Sequence, residues 1–150
     1  MILLDTNVVS ELRRPARADR HVLAWAQAAA AAQFHLSVIT VLELELGILR
    51  VQRRDAAQGE VLRAWLDGQV LPQFEGRILP IDTAVALRCA RLHVPDPRAE
   101  RDALIAATAL VHGMTVATRN QADFAPTGVP TINPWAAPPA APRRPARRRS

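Results

Sequence analysis

The chain has 150 residues with ordinary hydrophobic (49%) and charged (22%) fractions, which suits one globular domain with its own core and is short for two. Its net charge of +5 comes from five arginines in residues 136–150, a stretch without acidic residues; the remainder carries 14 basic and 14 acidic residues. All 19 basic residues are arginines, which excludes chemistry that needs a lysine, such as a P-loop or a Schiff base.

Cysteine use and hydropathy indicate where the protein resides. The single cysteine, Cys89, excludes an intrachain disulfide framework and fits a reducing compartment. Asp5 interrupts the apolar run that a signal peptide would need, and the longest apolar stretch, residues 22–34, is too short to span a bilayer. We therefore expect a soluble, cytoplasmic protein with no membrane partner.

The first half of the chain alternates short apolar runs with helical patterns. Ile2 to Leu4 is apolar at every position, as expected of a strand that is buried on both faces of a parallel sheet. The patterns then predict helices at 8–13 and 19–32, a strand at 35–38, and helices at 40–54 and 56–70. Thr40 is expected to cap the third of these helices, and Pro72 to stop the fourth.

The second half continues the alternation and completes the predicted fold. It contains a strand at 77–81, a helix capped by Asp82 or Thr83, a loop at 93–97, a helix at 100–112, a strand at 114–118 and a short edge strand at 128–132. Strands that alternate with helices indicate an α/β fold with three layers, α/β/α, around a mainly parallel sheet of four to five strands. We expect one domain at 1–134 and a disordered tail at 135–150, because Pro, Ala and Arg cannot build a core.

Four carboxylates stand at the starts or ends of predicted elements: Asp5, Glu43, Asp102 and Asp123. In an open α/β sheet, ligands collect beyond the carboxyl ends of the strands, so the three aspartates are expected at one edge. Like charges brought to one edge repel each other, and a positive group is expected among them. Oxygen ligands without a cluster of His and Cys favour Mg²⁺ or Mn²⁺.

Each carboxylate, taken alone, also has an ordinary structural explanation. Glu43 stands three residues after Thr40, which is the spacing of a capping box. Asp102 would lie in the first turn of a helix, where the dipole favours negative charge, and the other two aspartates suit turns. Glu45 is the main rival of Glu43, because residues two apart on a helix face different directions. The joint pattern favours a shared site.

Four ordered motifs in residues 1–134 carry a resemblance to a known family. They are Leu4-Asp5-Thr6-Asn7, Glu43-Leu44-Glu45-Leu46-Gly47, Asp102-Ala103-Leu104-Ile105-Ala106-Ala107 and Thr118-Arg119-Asn120-Gln121-Ala122-Asp123-Phe124. The chain thereby resembles PIN-domain ribonucleases, and above all the toxins of bacterial type II toxin–antitoxin pairs of the VapC kind and its FitB-like branch.

The resemblance implies a PIN-like domain and assigns roles to the motif residues. The implied catalytic residues are Asp5, Glu43, Asp102 and Asp123. The implied ligands of one or two Mg²⁺ or Mn²⁺ ions are Asp5, Asp102 and Asp123. The implied polar supports are Thr6, Asn7, Thr118 and Asn120. Arg119 would either contact RNA phosphate or be merely exposed.

The resemblance also implies an activity and partners. The activity is hydrolysis of RNA phosphodiester bonds that leaves a 3′-hydroxyl and a 5′-phosphate. The partners are RNA and a cognate antitoxin, a small DNA-binding protein, in a homodimer or a toxin–antitoxin hetero-oligomer. A candidate surface for the antitoxin consists of Val41, Leu44, Ile48, Leu49 and Trp65.

Other functions remain open from the residues alone. One is a PIN-fold nuclease that processes RNA without acting as a toxin, and another is a metal-free RNA- or protein-binding module. A haloacid-dehalogenase-like phosphatase would need an aspartate where Asn7 stands, and a receiver domain would need a lysine, which the chain lacks. The last two classes are therefore weakly supported.

Overall fold

Five short parallel strands form one sheet in the computed structural model, which describes residues 1–137. The strands are β1 (Ile2–Leu4), β2 (Phe34–Ser37), β3 (Ile78–Leu79), β4 (Thr115–Ala117) and β5 (Thr131–Ile132). Their order is β3-β2-β1-β4-β5, and all four pairings are parallel. The predicted α/β fold with a parallel sheet is confirmed.

Eight α-helical segments within residues 1–137 connect and cover the strands. They are α1 (Thr6–Glu11), α2 (Arg20–Ala28), α3 (Val38–Arg54), α4 (Ala56–Trp65), α5 (Leu71–Gln73), α6 (Thr83–Leu92), α7 (Glu100–His112) and α8 (Gln121–Phe124). Asp82 caps α6 by accepting a hydrogen bond from the backbone N–H of Val85 at 2.9 Å, and Gly113 ends α7 in the left-handed conformation with φ of 65°. Both helix ends lie where the sequence predicts them.

The start of α3 differs from its prediction. The helix begins at Val38, and its cap is Ser37, whose hydroxyl accepts a hydrogen bond from the backbone N–H of Ile39 at 3.0 Å. Ser37 is as good a cap as Thr40 and stands directly at the end of β2, so the helix starts earlier. Thr40 is consequently buried inside the helix, and the predicted capping box with Glu43 does not form.

Three further helix boundaries are shifted. The helix predicted at 8–13 begins at Thr6, because Asp5 caps it, and the one predicted at 19–32 ends at Ala28. Pro72 does not stop the fourth helix as predicted: α4 continues through a π turn (Leu66–Val70) into α5, which contains Pro72. Pro72 is tolerated because it follows the π turn directly, where the regular ladder of helical hydrogen bonds is already interrupted.

The core lies on both faces of the sheet. Leu3 and Leu4 are adjacent on β1 and almost fully buried, yet they belong to different hydrophobic clusters. Leu4 packs with residues of α1, β2, α3 and the π turn, whereas Leu3 packs with Ile105 and Ala106 of α7. Successive side chains of a strand point to opposite faces, so these contacts establish helical layers on either side.

The predicted tail starts at residue 135, and its first residue contacts the folded body. Trp135 packs against the cluster that contains Leu4, and the Arg119 guanidinium lies 5.2 Å from the centre of its ring. The rest of the predicted tail, from residue 138 onward, lies outside the described residues. None of the helices within residues 1–137 is long and apolar enough to cross a membrane.

Two helical glycines give opposite predictions for stability. A Cβ added at Gly59 of α4 would come within 2.8 Å of the Cα of Gln52 in α3, whereas one added at Gly47 of α3 would meet no atom within 4 Å. We expect Gly59→Ala to lower the free energy of unfolding by about 1–3 kcal/mol through overpacking. Gly47→Ala should raise it by about 0.5–1 kcal/mol, because alanine is the better helix former.

Urea unfolding of both variants and the wild type, followed by circular dichroism, measures the two changes. Gly47→Ala is the matched control, since it makes the same substitution on the neighbouring helix. Equal midpoints for the two variants would show that α3 and α4 do not approach each other as closely as the coordinates place them.

Candidate metal centre

The carboxyl ends of the central strands β1 and β4 bring distant motifs together. β1 ends one residue before Asp5, β4 ends one residue before Thr118, and the Asp5 backbone N–H donates to the carbonyl of Ala117 at 2.9 Å. Asp5 also caps α1 by accepting a hydrogen bond from the backbone N–H of Thr6 at 2.8 Å. The side chain of Asp5 is thus fixed at the sheet edge where ligands of open α/β folds collect.

Asp5 is a buried carboxylate with several hydrogen-bond donors. Besides Thr6, the Thr118 hydroxyl donates to it at 2.8 Å and the Asn7 side-chain amide at 3.3 Å, and the residue is 7% exposed. Burial raises the pKa of Asp5 above its ordinary value; these hydrogen bonds oppose the rise, and the charge of Asp123 adds to it. The donors hold the carboxylate in one orientation but do not offset the cost of burying it.

The predicted polar supports form a connected network around Asp5. The Thr118 hydroxyl accepts hydrogen bonds from the backbone N–H of Asn120 at 3.0 Å and from the side chain of Asn7 at 3.4 Å. Asn7 in turn accepts one from the backbone N–H of Arg119 at 3.3 Å. Asn120 takes part through its backbone, and its side chain makes no capping hydrogen bond with α8. The network ties the loop after β4 to the start of α1.

Glu43, and not Glu45, faces this site. Glu43 accepts a hydrogen bond from the Thr6 hydroxyl at 3.0 Å. Glu45 instead forms two hydrogen bonds with the guanidinium of Arg63 on α4, at 2.5 and 2.9 Å. Residues two apart on a helix point about 200° apart around its axis, so they cannot share a site. The choice that the sequence leaves open is thereby resolved.

Asp102 is the carboxylate whose charge is least compensated. It lies in the first turn of α7, and its pKa is raised from the ordinary 3.8 to about 6. Burial is the largest cause, followed by the negative charges of Asp5, Asp123 and Glu43. No cation or hydrogen-bond donor within residues 1–137 is among the groups that shift this pKa. The four predicted carboxylates therefore act on one another across one site.

Asp123 occupies the open side of this site. It is exposed on the short helix α8, and its backbone N–H donates to the carbonyl of Asn120 at 3.0 Å, which is the turn that the sequence suggests. Its charge nevertheless reaches the buried Asp5 and the half-buried Asp102. Asp123 thus lies in a turn and also belongs to the acidic site. We call the four carboxylates of Asp5, Glu43, Asp102 and Asp123 the acidic cluster.

The acidic cluster fits a hard divalent cation in charge and in donor type. All of its donors are carboxylate oxygens, and their mutual repulsion is what a cation would relieve. Within residues 1–137, however, no group of three or more His, Cys, Asp or Glu side chains is arranged closely enough to hold a metal ion as it stands. The four carboxylates therefore influence one another electrostatically, but they do not have the spacing of a coordination shell.

Arg101 also belongs to this neighbourhood, and the sequence motifs do not single it out. Its guanidinium Nη1 lies 3.9 Å from Oε2 of Glu43, and its side chain is about half exposed. The sequence does offer one indication of a role for Arg101, because this arginine immediately precedes Asp102 in a chain whose body is otherwise balanced in charge. The contact crosses from α7 to α3, so only the tertiary structure reveals which acid Arg101 faces.

A groove of about 340 Å³ opens beside the acidic cluster. Thr6, Arg13 and Glu43 line one part of it, and Leu44, Gly47, Ile48 and Trp65 are among the residues that line the rest. Of the apolar surface predicted for a partner, Leu44, Ile48 and Trp65 line the groove, although Leu44 and Ile48 are almost fully buried, whereas Val41 and Leu49 are not among the lining residues. The groove therefore joins an apolar wall to the charged site.

The fold agrees with the comparisons with known proteins. Residues 2–128 match the PIN domain family, and the chain belongs to that family. It is 41% identical to VapC ribonuclease Y4jK of Sinorhizobium fredii, over 90% of this chain and 98% of that protein. It is also 41% identical to the toxin FitB of Neisseria gonorrhoeae, over 90% of this chain and 99% of that protein.

A solved structure agrees with these relatives. A chain in the structure of FitAB bound to an IR36 DNA fragment superposes with a TM-score of 0.82 and 39% identity, covering 92% of this chain and 98% of that chain. Within the PIN-domain family, the protein thus falls in the group of VapC and FitB toxins.

Proposed function

We propose that this protein is the toxin of a type II toxin–antitoxin pair and that it hydrolyses RNA with Mg²⁺ or Mn²⁺ at the acidic cluster. One observation carries the proposal: the end of β1 and the helices α3, α7 and α8 bring four carboxylates to one site, where burial and the other three charges raise the pKa of Asp102 to about 6. Such a concentration of negative charge destabilises the metal-free fold, and a divalent cation relieves it. The similarity to VapC ribonuclease Y4jK supports RNA as the substrate.

Each carboxylate has a distinct part in the proposed site. Asp5, Asp102 and Asp123 hold the cation, which supplies Lewis-acid chemistry at the scissile phosphate when bound. Thr6 orients Glu43 through its hydroxyl, and Glu43 completes the negative side of the site. Asp123, exposed on the open side, stands where the RNA backbone enters. The products end in a 3′-hydroxyl and a 5′-phosphate.

The polar neighbours keep Asp5 ready for this role. Thr118 and Asn7 donate to the carboxylate, and the backbone of Asn120 holds Thr118 in turn. Thr6 donates its backbone N–H to Asp5 and its hydroxyl to Glu43, so it couples two members of the cluster. Asp5 is thereby oriented in advance and loses little further side-chain entropy when it binds a metal.

Arg119 is proposed to contact RNA phosphate from its place above Trp135. One face of the guanidinium lies on the ring, at 5.2 Å from its centre, and the residue is exposed. Stacking of this kind leaves the N–H groups at the guanidinium edge free for phosphate oxygens. Arg119 lies two residues before α8, the short helix that carries Asp123.

We further propose that a cognate antitoxin, a small DNA-binding protein, occupies the groove beside the acidic cluster. The groove has an apolar wall for an amphipathic segment and reaches Glu43, where a partner would also block the metal site. The similarity to a chain of a DNA-bound FitAB complex supports such a partner. The working assembly is a homodimer or a toxin–antitoxin hetero-oligomer, and the single buried Cys89 suits the reducing cytoplasm.

An RNA-cleavage assay tests the proposed activity. The purified protein should cleave single-stranded RNA in Mg²⁺ or Mn²⁺ and lose this activity in EDTA, because the carboxylates alone provide no electrophile for the phosphate. The products should carry 5′-phosphates, which a 5′-phosphate-dependent exonuclease detects. Cleavage that persists in EDTA, or products with 2′,3′-cyclic phosphates, would exclude a metal-dependent hydrolysis at this site.

A growth assay separates a toxin from a housekeeping nuclease. Induced expression of the chain should arrest bacterial growth, and coexpression of the small DNA-binding protein encoded beside it should restore growth. A housekeeping nuclease would leave growth unchanged in both cases.

A further inference from the structure

The side chain of Arg101 occupies a place that helix stability does not explain. Arg101 lies in the first turn of α7, next to Asp102. The positive end of a helix dipole disfavours a cation at this position. Its one ion pair, with Glu43 at 3.9 Å, is long and half exposed, and pairs of this kind contribute little to stability.

Compensation of the neighbouring aspartate does not explain Arg101 either. Consecutive residues of a helix point about 100° apart around its axis, so Arg101 and Asp102 face different directions. The guanidinium of Arg101 lies instead 3.9 Å from Glu43, a member of the acidic cluster, and about half of its side chain is open to solvent. Arg101 is therefore paired loosely with one carboxylate of the cluster and remains accessible.

An RNA strand that approaches the acidic cluster needs a local cation besides the metal. Four carboxylates repel a phosphate, and the body of the chain is balanced in charge. Among residues 1–137, Arg63 is held by Glu45 and Asp67, whereas Arg119 beside Trp135 is a separate candidate for phosphate after β4. Arg101 is the arginine of this described part that forms an ion pair with a member of the cluster.

We propose that Arg101 is an RNA phosphate-binding residue of the cleavage site, with Glu43 as the counter-ion that holds its guanidinium until RNA arrives. This inference rests on the proposed ribonuclease function. The weak pair with Glu43 is easily exchanged, and a planar guanidinium binds two phosphate oxygens at once. On exchange, Arg101 releases Glu43 to the metal side of the site and fixes the phosphate beside it.

Binding of a fluorescein-labelled single-stranded RNA to the full chain in EDTA, measured by anisotropy at several salt concentrations, tests this role. Arg101→Ala should weaken binding about tenfold and reduce the slope of log K against log salt by about 0.7, the value for one lost phosphate contact. Arg101→Lys should keep the slope and recover only part of the affinity. Arg53→Ala, on the exposed last turn of α3, is the control for loss of one positive charge and should change neither quantity by as much.

A double variant separates direct contact from neutralisation of Glu43. If Arg101 binds phosphate, Arg101→Ala weakens binding about as much in the Glu43→Gln background as in the wild type. If Arg101 merely masks Glu43, Arg101→Ala has no effect in the Glu43→Gln background, and the inference is overturned. Unchanged melting temperatures confirm that the variants are folded.

Further outcomes also contradict the inference. The same RNA affinity and salt slope for Arg101→Ala and Arg53→Ala would exclude a phosphate contact. An Arg101→Ala variant that binds RNA normally and loses antitoxin binding would exclude it as well. In both cases wild-type cleavage in Mg²⁺ would leave the proposed function standing. A wild type that neither binds nor cleaves RNA would instead overturn the proposed function itself.

Discussion

Asp5→Asn is expected to lower metal-dependent RNA cleavage on the order of a thousandfold while the protein stays folded. A bound cation provides several kcal/mol of transition-state stabilisation, and about 4 kcal/mol corresponds to a factor of roughly 10³ in rate. The asparagine keeps an oxygen for the hydrogen bond from the Thr6 backbone, and Asn caps helices as well as Asp does. The substitution therefore removes the negative charge and keeps the helix cap.

Single-turnover cleavage of a labelled RNA at saturating protein measures the loss. Asp82→Asn is a matched control, because Asp82 caps α6 in the same way and lies outside the acidic cluster. It should keep wild-type activity. If Asp5→Asn, purified free of host nucleases and folded by circular dichroism, retained more than about a tenth of the wild-type rate, Asp5 would not hold the catalytic metal.

Asp102→Asn should remove the stabilisation that divalent metal gives to the fold. At a concentration of a hundred times Kd, a ligand that binds only the folded state adds about 2.7 kcal/mol, which is roughly 5–10 °C in melting temperature for a chain of this size. We expect Mn²⁺ to produce such a shift in the wild type. The variant should show little of it, because it lacks one of the three proposed ligands.

Without metal, Asp102→Asn should be more stable than the wild type, and this difference in unfolding free energy should depend on pH. Because the pKa of Asp102 is about 6 in the folded protein and 3.8 ordinarily, the folded state holds the proton more tightly. The contribution of Asp102 to the free energy of unfolding is therefore greatest below about pH 4 and falls as the pH rises to about 6. Asp102→Asn cannot ionise, so it should lose less stability over this range and exceed the wild type at pH 7 in EDTA.

The melting temperatures of both proteins are measured at pH 4 and pH 7, each in EDTA and in Mn²⁺. The two proteins are thereby compared under four conditions. Glu45→Gln is the control for loss of a carboxylate outside the cluster; it should respond to Mn²⁺ as the wild type does. An equal Mn²⁺ shift for Asp102→Asn and the wild type would place the bound metal away from Asp102.

Local patterns predict the framework of this site because the determinants lie close together in sequence. The apolar run from Ile2 to Leu4 indicates a buried strand, and an aspartate directly after it falls at the sheet edge. Gly113 marks the end of α7 for an equally local reason, since glycine readily adopts the left-handed conformation.

The features that sequence reasoning missed depend on competition between two possible helix caps or on contacts between residues that are distant in sequence. Ser37 and Thr40 are both suitable caps, and only the position of β2 decides that the helix starts after Ser37. The choice between Glu43 and Glu45 depends on Arg63, which lies eighteen residues after Glu45 and reaches it across the α3–α4 pair. The contact of Arg101 with Glu43 is likewise tertiary.

The most direct test of the shared metal site is the anomalous scattering of Mn²⁺ in crystals of the wild-type protein soaked at neutral pH. We predict a peak at the carboxyl edge of the sheet with oxygen atoms of Asp5, Asp102 and Asp123 in ligand contact. A strong peak elsewhere, with these three carboxylates unchanged and free of metal, would contradict the account.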